Sequence, residues 1–222
     1  SAMTTDQLTA LTTLAMTKLS TSQMVALSTD QLIGLSTQQA SALSKTQVAA
    51  IAAADLATME TADIAALSTS VVVNLTTAQI AGLTTAQAVA MSQDQVAALT
   101  TAQIASLTTA QISTLTTLQV AALTTKQVFK MTTEQLVSLT TAQIANMETD
   151  DLAAITTAQI AALKTSQIAA LTPSQIPNLT TAQIVALTTA QASILSTDQT
   201  VALTPAQIAA FETIDIAAVP AA

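Results

Sequence analysis

A period of eight residues, kept without one insertion or deletion, is the strongest constraint on this chain. Counting in steps of eight from Met3 reaches Phe211, which makes 27 units. Leu75-Thr76-Thr77-Ala78-Gln79-Ile80-Ala81-Gly82 is representative. Slot one is usually Leu, slots two and three mostly Thr or Ser, slot five mostly Gln, and slot six Ile, Val or Leu. Slot four varies, and slots seven and eight are mostly Ala or another small residue. One continuous helix does not suit this period. Eight residues turn about 800°, about 80° past two full circles, so the apolar stripe would drift and form no seam. A β-solenoid is the alternative favoured by the Thr content. It would point slots one and six to opposite faces, and tight rungs want Gly, Asn or Asp at their corners. The chain has two Gly in 222 residues, and its Ala and Gln favour helix.

The unit itself spells a helix start. Thr76 is placed to be the N-cap, with its hydroxyl accepting from the third helical residue, Gln79. The Gln79 side chain is placed to reach back to the cap N–H, completing a capping box. Leu75 before the cap and Ile80 at the fourth helical position form a hydrophobic staple. Pro173 and Pro205 fall in slot three, the first helical position, where a missing N–H costs nothing. The next cap arrives eight residues later, so the helix spans roughly slots three to eight, about six residues and about 9 Å. Slot one then leaves helical geometry. Such a helix is unstable alone, so neighbouring units must bury it. The expected fold is an all-α solenoid or superhelix of very short capped helices, one per repeat. Residues 3–219 form a single array, Ser1-Ala2 reads as a cloning remnant, and residues 220–222 are a tail.

Departures from the pattern carry further expectations. Charges gather at slot four, at Asp6, Asp30, Asp94, Lys126, Glu134, Asp150 and Asp198, and that slot should face water. Lys18 and Lys130 place slot eight partly outside. Where slot six is Ala88, Ala192 or Thr200, the core volume is expected back from Val89, Ile194 or Val201. Pro177, in slot seven, removes a donor inside the short helix and predicts a local break or early end. Pro220 should stop the array. A second unit type pairs an acid at slot two with Asp at slot five: Glu60/Asp63, Glu148/Asp151 and Glu212/Asp215. A carboxylate pair suggests a hard cation such as calcium, but calcium takes about six to eight oxygens. The preferred reading is an alternative cap by Thr61, Thr149 or Thr213, with the acids favoured near the helix N-terminus. Asp55, preceded by Ala52 at slot two, fits only the capping reading.

The charge balance is −8 with no His, no Cys and five Lys plus Arg. Phosphate binding needs clustered basic residues, so nucleic acid is not an expected partner. Ser and Thr hydroxyls have no base beside them, and no Gly-rich phosphate loop or metal-ligand cluster is present. No catalytic, cofactor-binding or metal-ligating residue is assigned, no cofactor is expected, and the chain reads as a non-enzyme. Thr and Gln interrupt the apolar residues too evenly for a membrane span of about 20 residues.

Two resemblances follow from the units. Leu203-Thr204-Pro205-Ala206-Gln207-Ile208-Ala209-Ala210 and Leu171-Thr172-Pro173-Ser174-Gln175-Ile176 resemble the opening of the repeats in TAL effectors. The likeness stops after about eight residues, and the base-reading loop is missing; it reflects the same helix-start grammar. The whole array, LTTxQIxx, resembles octapeptide tracts of large bacterial surface or secreted proteins grouped with adhesins. That resemblance implies a rigid spacer or stalk at the cell surface or outside the cell. The alternatives are a periodic Thr surface binding an extended ligand such as ice or a polysaccharide, and a self-assembling filament segment. No end unit has the polar outer face that caps solenoids, which reads as a segment cut from a longer array; as a complete protein, its exposed ends would promote end-to-end self-association.

Overall fold

The computed structural model describes residues 3–211; Glu212, Thr213, Asp215, Pro220 and the Ser1-Ala2 pair lie outside them. The described residues form 25 α-helices and one 3₁₀ helix and contain no strand, which excludes the β-solenoid. The representative helix, Thr77–Gly82, covers slots three to eight as expected. Thr76 has extended backbone, its Oγ1 accepts from Gln79 N–H at 3.1 Å, and its own N–H donates to Gln79 Oε1 at 2.8 Å. The same reciprocal pair recurs at Thr100/Gln103 and Thr108/Gln111, at distances between 2.7 and 3.2 Å. After Gly82 the chain returns to extended geometry at Leu83 (φ −58, ψ 142), ready for the next cap. Replacing Thr76 by Ala should lower stability by about 1 kcal/mol. Thr77→Ala, one residue on and exposed, should be near neutral in the same urea titration.

The core consists of two slots. Slot six is fully sealed at Ile80, Ile104 and Ile112, and slot one is buried at Leu75, Leu83 and Leu99. Slot four faces water at every charged position named above, and Lys18 and Lys130 are exposed. One expectation fails. Val89, Ile194 and Val201 are 38 %, 37 % and 68 % exposed. In a helix of six residues or fewer, slots seven and eight lie about 100° and about 200° around from slot six. Neither replaces the missing volume, and Ala88 and Ala192 are themselves fully buried. Pro177 does break the helix: its unit has a 3₁₀ turn at Ile176–Asn178 in place of the α-helix.

Two compact units divide the chain, the first ending at Leu115 and the second beginning at Thr116. Each is built the same way, with helices packed on those three units later. In the first, Thr37–Ser41 packs on Thr61–Ala66, and Thr77–Gly82 on Thr101–Ser106. In the second, Thr125–Lys130 packs on Thr149–Ala154, and Thr181–Val185 on Pro205–Ala210. Three units therefore complete one turn of each coil. This is how helices too short to stand alone persist: each buries its slot-one and slot-six residues against the turns above and below.

Candidate functional site

A short helix leaves its last carbonyls without intrahelical donors. Helices often meet that need with a left-handed Gly, but no described residue here has positive φ. The donor is instead the slot-five Gln of a later turn. Gln79 Nε2 donates to Val48 O at 2.8 Å and to Ile51 O at 2.7 Å, 31 and 28 residues back. Gln103 reaches Val72 O at 2.9 Å and Leu75 O at 2.7 Å. Gln111 reaches Ile80 and Leu83, and in the second unit Gln183 reaches Leu152 and Ile155. One buried side chain thus caps its own helix through Oε1 and closes the corner beneath through Nε2. The capping half was expected from sequence and the clamping half was not. Its signal was available: a capping box accepts Glu as readily as Gln, whereas slot five is mostly Gln and never Glu. Only Gln offers a donor as well.

The acidic units depart from this scheme at the same atom. Glu60 and Glu148 occupy the cap positions but make no side-chain cap hydrogen bond. The expected substitutes do not act either: Thr61 and Thr149 are the first helical residues, not caps. Both glutamates are exposed while Asp63 and Asp151 are buried. The pairs therefore do not converge on one ligand, and no group of three or more potential metal-ligating acids occurs among the described residues. Asp55 also fails to cap. Ala52 has no side-chain partner, and Asp55 Oδ1 accepts from Thr29 Oγ1 at 3.3 Å. Asp151 Oδ1 accepts from Thr125 Oγ1 at 2.9 Å, again 26 residues back. A slot-five Asp thus faces a slot-three Thr of an earlier turn, where a Gln would face carbonyls.

Burial pushes the carboxyls of both Asp63 and Asp151 above the ordinary range. For Asp63, Thr37 offsets part of that rise and the Glu60 charge adds to it. Thr37 stands close enough to favour the anion, yet no hydrogen bond of ordinary geometry reaches either carboxylate oxygen, and both are buried.

The remaining surface offers little chemistry. Slot-two hydroxyls are engaged as caps, at Thr84, Thr100 and Thr108 among others. Slot-three Thr77, Thr85 and Thr109 face water. A cavity of about 610 Å³ opens under the first turn against Leu11, Ala15, Leu19, Gln23 and Leu27. Its lining is mainly apolar, and Lys18 is its one titratable group. No helix among the described residues is long and apolar enough to cross a membrane.

The family model of the ALTTAQ repeat matches five times in succession, over residues 56–93, 89–125, 119–147, 144–181 and 177–205. No curated protein matches the chain.

Proposed function

This chain belongs to the ALTTAQ repeat family, and we propose that it is a non-enzymatic structural segment acting as a rigid spacer or stalk within a larger bacterial surface or secreted protein. The observation that carries this reading is the recurrence of one clamp in both compact units. Gln39 on Leu8 and Leu11 makes the same pair of bonds as Gln207 on Ile176 and Leu179, 168 residues later. A turn closed in this way offers the next turn the carbonyls it needs, so length becomes a matter of copy number. Nothing in the clamp depends on a particular partner, which suits a segment whose job is distance.

Solution scattering tests the spacer. Duplicating residues 75–98 in frame adds one turn, and the maximum dimension should grow by one helix-packing distance, about 8–10 Å. A dimension that stays fixed while mass rises would remove the spacer reading. The ice- or polysaccharide-binding reading is weaker. Cap duty withdraws the slot-two hydroxyls from any surface array, leaving slot three alone to meet a ligand. Thermal hysteresis and glycan arrays should both be silent.

A further inference from the structure

At the first turn the clamping amides have nothing beneath them. Gln7 and Gln23 serve the caps of Thr4 and Ser20 through Oε1, and neither amide nitrogen has a partner among the described residues. Gln31 is the first to reach down, to Met3 O at 2.5 Å. Leu11, Leu19 and Leu27 are half-exposed, whereas slot one is buried from Leu35 through Phe211. The cavity of about 610 Å³ opens between these three leucines. Slot six is already sealed there, at Leu8, Met16 and Met24. The first turn therefore has a complete core of its own, and only its lower face is open. The last described turn is the complement. The carbonyls of Ala192 and Leu195, and of Ile208 and Phe211, occupy the slots that an amide clamps elsewhere, and no side-chain amide among the described residues reaches them.

We propose that the open lower face of the first turn is a docking site for a second copy of this chain, which seats its last turn there, head to tail. The occupant is set by what covers the equivalent faces inside the array: three octets of the same repeat, presenting carbonyls to the Gln amides and apolar slots to the leucines. The register follows from the clamp spacing of 31 and 28 residues. The count of eights runs on without a gap when Met3 of one copy follows the last of the 27 units of the other. Gln7 then stands over Ala192 and Leu195, and Gln23 over Ile208 and Phe211. Ala15, between them, offers Thr200 and Leu203 no donor. A contact between unlike faces leaves one face of each kind free, so it continues from copy to copy. This contact concerns the ends of the array and stands whether or not its length serves as a spacer.

Sedimentation of the full chain at neutral pH, at rising concentration up to its solubility limit, tests this contact. The weight-average mass should climb past 22.5 kDa and past twice that value. Gln7→Glu combined with Gln23→Glu keeps both caps but turns the free donors into acceptors, and should weaken association at least about tenfold. Ala15→Gln supplies the third donor and should strengthen association several-fold. Cross-linking reads the direction. Where turns stack within the chain, slot eight lies over slot three: a Cβ on Gly82 would stand 3.3 Å from Ala53 Cβ, close to the separation a disulfide spans. Ala10 and Thr197 are the corresponding positions of two docked copies; both are exposed, and the chain has no cysteine of its own. Under oxidising conditions, Ala10→Cys mixed with Thr197→Cys should form a disulfide-linked pair several-fold faster than either variant alone. The proposal is overturned by a mass that stays at one chain throughout, by one that stops at two, or by equal linking in the mixture and in the separate variants.

Discussion

Gln103→Glu should destabilise the first compact unit by about 3–5 kcal/mol at neutral pH, although it changes one atom. The cap half of the residue survives, because a carboxylate oxygen accepts from the Thr100 N–H as the amide oxygen does. The clamp half inverts. Two donors aimed at Val72 O and Leu75 O become an acceptor aimed at two acceptors. The side chain is 2 % exposed, so water cannot substitute. The new carboxyl should hold its proton more tightly folded than unfolded. The deficit should therefore be present at pH 7 and close as pH falls through that raised value, where the neutral acid donates again. Gln23→Glu is the control. Gln23 caps Ser20 in the same way, but it is exposed and its amide nitrogen reaches no carbonyl, so the change should cost at most about 0.5 kcal/mol. Urea titrations followed by far-ultraviolet dichroism at pH 7 and pH 4 read both effects. An equal cost at the two positions would mean that Gln acts as a cap alone.

This contrast also marks what could be read before the fold was known. Cap, staple, helix length and the exposure of slot four depend on residues within one octet, and local chemistry specifies them: Thr76, Gln79, Leu75 and Ile80 stand where their types require. The break at Pro177 is local too, since a missing N–H acts on its own turn. The contacts that were missed all cross between turns. That three units make one turn depends on how helices lean on each other, and no octet encodes this alone. The clamp from Gln79 to Ile51 spans 28 residues, and its only local trace is the choice of Gln over Glu. The partners of Asp55 and Asp151 are hidden from the octet for the same reason. Near a helix N-terminus an acid suggests a cap, but slot five points down to the turn beneath, and the partners found there are Thr29 and Thr125. Slot seven failed by a different route. Apolar type does not signal burial in that slot, since Val89 and Val201 are exposed.

Ile112→Ala should cost about 2–5 kcal/mol, and the damage should stay near its own turn. Ile112 is fully buried in slot six, and truncation removes a branched side chain from a core only two slots wide. The slot-seven and slot-eight residues of its own helix, Ser113 and Thr114, are not buried and do not refill the space. The cost should therefore fall toward the upper part of that range. Val185→Ala, in slot seven and 40 % exposed, should change stability by less than about 0.5 kcal/mol. The reach of the damage follows from the stacking. The helix Thr109–Thr114 packs on Thr85–Ala90, three units before it, and Thr37–Ser41 packs on Thr61–Ala66. In a quasi-one-dimensional array, stability is a sum over units and their nearest interfaces. Native-state hydrogen exchange should then show lost protection at Ile112 and Ala88, with the helix Thr37–Ser41 unaffected. Uniform loss across the first unit would mean that the clamps couple all its turns into a single cooperative block. In that case the energy of a turn would be set by the whole coil and not by its neighbours.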